Sequence, residues 1–474
     1  MASNIGEANP ANQLNGQHSI VPLTTEGKAN DDSDLTQDEA GLSVAIIGGG
    51  IVGIILALGL VDRGVDVAVY ERASDFNEIG AGIAFTGVTR ECMTQLSSAV
   101  IDSLRRVANE NQHAYDNYWD GYHSDKNSDE NVGLNNKANV SEGTLLFQLQ
   151  NAKMAWWSCL RSGFLDELSK ALPQGIVSFG KELISYDSDS SGPVMLRFTD
   201  GTTATCDVVI GCDGIHSRVR QQLLSVSHPQ ACKPSYTGKT CFRAVVPIAA
   251  AESILGQSKA HNHCMHTGPG AHLLSYPIAQ HTLLNTVLFL SGNGSPVTHR
   301  GEIVSRLSSW RPEVRELVGL MPETLLVWRI DDTADHPTPW YVKGRVCLAG
   351  DAAHASSPHH GAGAGFGVED ALALATGLGM AVGAPPSKRG EAVEAALGAY
   401  NDVRYKRTQW LVRSSRETGD IYEWMYPDSG SDPVKIKAEI AARQKKIWNF
   451  DVDGMVEEVR NRYYDRLGEG GLTA

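Results

Sequence analysis

None of the eight cysteines in this 474-residue chain (Cys92, Cys159, Cys206, Cys212, Cys232, Cys241, Cys264, Cys347) forms a C-x-x-C pair. Several sit inside apolar, strand-like runs, so they read as buried small hydrophobes in a reducing compartment, and a cytoplasmic location is expected. Positive charge is also scarce: 41 Lys and Arg against 55 Asp and Glu give a formal net charge of −14. That balance opposes broad electrostatic adhesion to nucleic acid or anionic membrane and leaves a small molecule as the expected partner. The N-terminal stretch lacks the apolar core of a signal peptide and is rich in Asn, Asp, Ser, Thr and Gly. Residues 1–42 are expected to be a disordered leader outside the fold.

What is present begins with an uncharged run of 18 residues, VAIIGGGIVGIILALGLV (Val44 to Val61), long enough to pass for a membrane span. Three consecutive glycines argue against that reading, because they break a helix, whereas a buried strand, a tight turn and a buried helix explain both apolarity and break. With the following VDVAVYE the run predicts a βαβ unit. Its glycines have G-x-G-x-x-G spacing at Gly48, Gly50 and Gly53: the first allows the turn, the second lets a pyrophosphate approach, the third lets helix pack on strand. Glu71, ending the second strand, is placed to accept ribose hydroxyls, which favours FAD or NAD over a 2′-phosphorylated nucleotide.

Further along, the polar stretch between about Asn109 and Glu142 reads as a long excursion or lid carrying Tyr115, Tyr118, Trp119 and Tyr122. Asn139-Val140-Ser141 matches a glycosylation triplet, relevant only in a secreted chain. A helix is expected from roughly Ala155 to Ala171, carrying Arg161. DVVIGCDGIHSRVR (207–220) reads as a buried strand ending in an Asp213-Gly214 turn. Short alternating strands from about Thr237 to Leu290 predict an antiparallel sheet. GRVCLAGDAAH then returns to the buried-strand pattern, so the nucleotide-binding domain is discontinuous.

Three landmarks in order, GGGIVG with Glu71, IGCDG with Asp213 and LAGDAAHASSPHHGAG with Asp351, resemble the single-component FAD-dependent aromatic hydroxylases of the salicylate and para-hydroxybenzoate hydroxylase type, over about residues 43 to 455. EIGAGIAF, WDGYH, HTGPGAHLLSYPI, PHHGAGAG and KIWNFD are similar, more closely, to the fungal dearomatising monooxygenases of tropolone, sorbicillinoid and azaphilone biosynthesis. The resemblance implies an α/β fold. A Rossmann-type FAD-binding domain would span 43–222 and 325–390, an antiparallel-sheet substrate domain 223–324, and a C-terminal helical region 391–474. It implies FAD, with O2 and NADPH or NADH as co-substrates; no second glycine fingerprint is visible for the nicotinamide. Asp351 would hold the ribityl hydroxyls. A helix starting near Gly363 and Ala364 would point backbone N–H groups at the flavin pyrimidine edge. Arg161 and Ala84 would contact the cofactor; the family's frequent histidine before that arginine is Leu160 here.

Arg243 in CFRAVVP and Tyr276 in LLSYPI match the dearomatising subgroup's reactive pair. Electrophilic oxygen transfer favours a phenolate substrate, and a guanidinium with a tyrosine hydroxyl would lower the phenol pKa and fix the ring. The alternative is Arg243 paired to a carboxylate and Tyr276 capping a core. His359 and His360 are expected in the pocket wall, positioning substrate or exchanging protons, with solvent-facing loop histidines as the alternative. No metal is expected: HNHCMH (His261 to His266), read as a strand, would send His261 and His263 to one face and Cys264 and His266 to the other. His354 reads as a structural hydrogen-bonding residue. The expected reaction is hydroxylation of a resorcinol-aldehyde-type polyketide with loss of aromaticity. Alternatives are salicylate-type hydroxylation to a catechol, a non-catalytic or redox-sensing flavoprotein, and an NAD-dependent dehydrogenase, the last disfavoured by the Asp213 and Asp351 motifs.

Overall fold

In the computed structural model, residues 41–76, 82–110, 115–123, 143–150, 156–188, 192–292 and 298–468 are described. The expected leader up to residue 40, the Asn139 triplet and much of the polar 109–142 stretch lie outside them, while Leu42, expected in the leader, is buried in the core. Val44 to Ile47 is apolar throughout and almost fully buried, as a strand covered on both faces must be. It lies in β1 (Ser43–Ile47), followed by α1 (Ile51–Val61) and β2 (Asp66–Tyr70), with β1 and β2 paired in parallel. Val44 to Val61 is therefore strand, turn and core helix. Gly48 has φ +105°, and a Cβ there would lie 2.5 Å from the Cys212 carbonyl oxygen, while one on Gly53 would lie 2.1 Å from that of Gly48. Only glycine permits both approaches.

Along the chain follow β3 (Gly82–Phe85), β4 (Tyr115–Asp120), β5 (Leu145–Gln150), β6 (Trp157–Leu160), α2 (Arg161–Ala171), β7 (Val177–Ser178), β8 (Val208–Gly211) and α3 (Arg218–Leu224). The helix expected from Ala155 starts only at Arg161. Residues 157–160 instead pair antiparallel with β3, Phe85 beside Trp157 and Gly82 beside Leu160, a long-range pairing that overrides local propensity. The expected excursion is corrected too: Tyr115 to Asp120 is a sheet strand, with Tyr118 buried.

The second sheet uses β9 (Ser235–Pro247), β10 (Cys264–Gly268), β11 (Ala271–Ile278), β12 (Leu283–Ser291) and β13 (Val327–Asp332). Its order is β13-β9-β12-β11-β10-β4-β5. The strands within 237–290 are antiparallel as expected, but β4, β5 and β13 join from outside 223–324, and β4 runs parallel to β10. With β14 (Val342–Lys343) and β15 (Val346–Leu348), the first sheet has the order β14-β15-β8-β1-β2-β7. The fold is thus α/β with an antiparallel-type second sheet, closed by α4 (Gly363–Val382), α5 (Arg389–Tyr422), α6 (Pro433–Trp448) and α7 (Val452–Arg466). By length and hydropathy α4 could cross a membrane, yet 83% of its apolar window is buried inside the protein, so it reads as a core helix.

At the junction of α4 and α5, Arg404, itself fully buried, donates from Nε to Asp370 Oδ1 at 2.8 Å and pairs with Glu369. Asp370 also accepts from the Gly350 N–H and bonds His354 Nε2, which gives His354 the structural role expected. Burial alone would raise Asp370, but the charges of His354 and Arg404 outweigh it and hold the carboxyl low. Removing one partner of a buried charge network strands the others. Arg404→Met is expected to destabilise the fold by about 3–5 kcal/mol in denaturant unfolding; a change under about 1 kcal/mol would show the network to be dispensable.

Candidate active site

Three loops meet at one edge of the parallel sheet, after β1, β8 and β15. Those after β1 and β8 line a 590 Å³ cavity that includes Gly48, Gly50, Glu71, Arg161 and Asp213. A second cavity of 360 Å³ shares Gly50, Arg161, Cys212 and Gly214 with it and adds Ala84, Asp351, Gly363 and Ala364. The ten residues expected at the cofactor divide between these two cavities and the glycine turn: all but Gly53, which packs behind the turn, line a cavity wall. Glu71 accepts from the N–H groups of Gly49 at 2.6 Å and Ala73 at 2.8 Å. Asp213 spends its carboxylate on Ser217 Oγ and the N–H groups of Arg218 and Val219, so it shapes the turn into α3.

The fit to a flavin dinucleotide rests on open backbone donors. α1 and α4 start without a side-chain cap and without an acidic residue in the first turn, so their N-terminal N–H groups and dipoles are available to a phosphate and to an anionic ring edge. A Cβ on Gly50 would meet nothing within 4 Å, which leaves room for pyrophosphate. Asp351 is exposed at the lip of the second cavity, where a carboxylate can accept polyol hydroxyls.

Beyond the flavin edge, the second cavity runs across the inner face of the second sheet. Arg243 on β9 and Tyr276 on β11 both line it. Arg243 has no carboxylate partner among the described residues; its guanidinium lies 5.6 Å from the centre of the Trp328 ring, and Nε is enclosed without a hydrogen bond. The expected alternative of a salt-bridged arginine is therefore not seen there. Tyr276 is buried beside Gly82, where a Cβ would come within 2.7 Å of its hydroxyl. Burial pushes its phenol up, while the Arg243 charge opposes the rise.

His359 and His360 are buried in the cavity wall, which overturns the solvent-facing alternative. His360 Nε2 meets Ser414 Oγ at 2.9 Å and Thr418 Oγ1 at 3.1 Å. His359 Nδ1 is 3.3 Å from His272 Nε2, and His272 Nδ1 is 3.1 Å from Glu423 Oε1, which also takes Lys239 at Oε2. The order of donors follows: Glu423 accepts from His272, His272 accepts from His359, and His359 Nε2 keeps a lone pair. Burial raises Glu423, but His272 and Lys239 outweigh it and bring it to about 2.

Several lining residues escaped sequence reasoning: Asp116, Trp156, His263, Phe289, Tyr422 and Gln444, whereas Tyr118 was expected in a lid and instead lines the cavity from a strand. The aromatic content of YDNYWD was the available strand signal for Asp116 and Tyr118. HNHCMH is corrected: the strand begins only at Cys264, His261 ends a short helix and pairs with Glu252, and His263 faces the cavity. Among the described residues no group of three His, Cys, Asp or Glu is arranged to hold a metal.

An uncapped glycine turn, a second strand-end loop and an aromatic-lined continuation define a flavin-dinucleotide enzyme of the hydroxylase fold. Comparison with known proteins supports that class. Residues 41–415 match the family described as FAD binding domain. FAD-dependent monooxygenase SAT7 of Stachybotrys chartarum is 60% identical over 91% of this chain and 93% of its own. Salicylate hydroxylase asL1 of Sarocladium schorii is 43% identical over 91% and 94%. A solved salicylate hydroxylase substrate complex superimposes with a TM-score of 0.75 at 29% identity, covering 88% of this chain and 98% of that one. The chain belongs to the FAD-dependent monooxygenases. Its cofactor is FAD, and NAD(P)H and O2 are the co-substrates typical of the class; the dehydrogenase and non-catalytic readings give way.

Two predictions follow from the histidines. Burial, then the Arg443 charge, lowers His360 from 6.5 to about 3. Because the unfolded chain binds a proton that the folded one refuses, the stability this contributes is complete above about pH 6.5 and is lost as pH falls towards 3. Between pH 6.5 and 5 the loss is about 2 kcal/mol, and His360→Gln should flatten the stability profile by that amount; an unchanged slope refutes it. On α5, a Cβ at Gly419 would come 2.6 Å from His359 Nε2. Gly419→Ala should therefore raise KM with FAD content unchanged; an unaltered KM would show that the ring has room.

Proposed function

We propose that this monooxygenase hydroxylates a phenolic, resorcinol-aldehyde-type polyketide, with loss of aromaticity at the attacked carbon, in fungal secondary metabolism. The single observation that carries the reading is an arginine without a carboxylate partner among the described residues, lining the same cavity as a buried tyrosine. A guanidinium in a desolvated pocket favours an anionic ligand. A phenolate oxygen is the anion that this chemistry requires.

FAD, when bound, supplies the redox chemistry, being reduced by NAD(P)H and activating O2 for transfer of one oxygen atom. The protein's own part is placement and protonation. Arg243 holds the phenolate form, lowering the substrate pKa through its charge. Tyr276, kept protonated by burial, donates to the same oxygen. The uncapped start of α4 favours negative charge on the reduced ring system. His359 and His360, neutral in their buried network, form the wall that keeps water from the reacting carbon. The eight cysteines are all free, in keeping with a cytoplasmic setting.

A salicylate-type hydroxylation to a catechol is the second reading, favoured by the salicylate hydroxylases among the similar proteins. Arg243 would then bind the substrate carboxylate. Products separate the two: a dienone without aromatic protons at the attacked carbon, or a catechol. Incubation with resorcinol aldehydes, NADPH and O2 is expected to give a product heavier by one oxygen. Arg243→Ala is expected to lose at least about 100-fold in kcat/KM for that product while retaining FAD, a loss of about 2.7 kcal/mol in transition-state binding. Unchanged product yield would remove Arg243 from this role.

A further inference from the structure

The inner face of the second sheet carries a row of polar side chains that the reaction described above does not use in full. Tyr276 on β11 stands beside Asn285 on β12. Cys264 pairs with Ser275 and with Asn117, so His263, one residue earlier, falls beside Tyr276 on one side and Asp116 on the other. The neighbouring row, Val287, Leu274 and Met265, is apolar on the same face. Period-two geometry thus sets a line of hydrogen-bonding groups, Asn285, Tyr276, His263 and Asp116, along one wall of the cavity.

Its far end sets an imidazole beside a buried carboxylate. His263 is sandwiched between the Trp156 ring, 5.9 Å away at 9°, and the Tyr276 ring, 5.9 Å away at 21°. His263 Nδ1 lies 3.3 Å from Asp116 Oδ1, and Trp156 Nε1 donates to Asp116 Oδ2 at 3.3 Å. The Asp116 side chain is 2% exposed and lines the cavity, and burial raises its carboxyl despite His263 and Trp156. His263 stands beside Tyr276 with ring centroids 5.9 Å apart, while Arg243 approaches from β9, two strands beyond Tyr276. The cavity is therefore cationic at one end and hydrogen-bond-accepting at the other.

We propose that Asp116 and His263 form a subsite for a second hydroxyl of the substrate, distal to the oxygen held by Arg243, and that the pair rejects substrates carrying a carboxylate there. This rests on the phenolic-substrate reading and deepens it by naming the residues that read the second hydroxyl. His263 Nδ1 is turned to the Asp116 carboxylate and is enclosed without a hydrogen bond, and Nε2 is the ring nitrogen left to meet a ligand O–H. A site built to accept a hydroxyl discriminates strongly against an analogue that lacks it, because its buried polar groups are then left unpaired. A carboxylate at the same place meets the like charge of Asp116 in a desolvated pocket. Asp116 and His263 are specificity-determining residues; neither is assigned a covalent step.

The test is ligand binding to the FAD-loaded full chain, read from the flavin spectrum and tryptophan fluorescence without turnover. The probes are a resorcinol aldehyde, its mono-O-methyl ether at the distal hydroxyl, and the corresponding dihydroxybenzoate. Wild type is expected to bind the aldehyde at least about tenfold more tightly than the ether. His263→Leu and the near-isosteric Asp116→Asn should each bring that ratio to within about threefold, and Asp116→Asn should gain affinity for the benzoate. Equal affinity of wild type for aldehyde and ether, no binding of the aldehyde, or an unchanged ratio in both FAD-loaded variants overturns the subsite. Selective binding without oxygenation of any phenol supports the subsite while refuting the reaction. Oxygenation without selectivity does the reverse.

Discussion

Backbone meeting backbone at the strand ends is the contact on which the rest of this protein depends. Where Gly48 lies against the Cys212 carbonyl and Gly53 against that of Gly48, there is no room for a single extra carbon. The loops after β1 and β8 can then share one edge, and α1 begins with its N–H groups uncovered. The third loop is set by a different device. Gly350 is tied to Asp370, and Asp370 is held by Arg404 and His354 in the core. A buried charge network, costly unless complete, thereby fixes where Asp351 stands. Cofactor geometry is decided partly by the absence of side chains and partly by buried ones.

The second sheet works by alternation. Along each strand, side chains facing outward join a core with surrounding helices that includes Phe242, Leu273 and Leu288, while those facing inward form a cavity wall of alternating polar and apolar rows. Arg243 and Tyr276 on two strands and His263 just before a third face one space because the registers place them there. The end of α5 and the helix α6 close that space with Tyr422 and Gln444, the latter donating to the Tyr118 hydroxyl at 2.7 Å. A region that reads as peripheral charged helices is thus part of the pocket wall.

Local patterns were legible wherever the physics is local. The strand, glycine turn and helix of 43–61 follow from apolarity and three glycines, and the alternating strands of 237–290 follow from their period. Arg243 and Tyr276 were singled out by the resemblance of CFRAVVP and LLSYPI to the dearomatising subgroup. Trp157 to Leu160 was misread because its strand character comes from pairing with β3, more than 70 residues earlier in the chain. Tyr115 to Asp120 was misread because it lies among polar neighbours and its strand character comes from pairing with β10 and β5. The HNHCMH run was misread because its first residues end a helix.

By itself the sequence determined the βαβ unit and the order of the three cofactor loops. These depend on backbone conformation and on burial cost, both properties of short segments. Only the tertiary structure decided that β4, β5 and β13 complete the second sheet, that His359 is held through His272 by Glu423, and that Asp116 stands beside His263. Those neighbours lie between 87 and 151 residues apart in the chain or on strands brought together by register, and no local preference encodes a contact that loop closure and long-range packing must create.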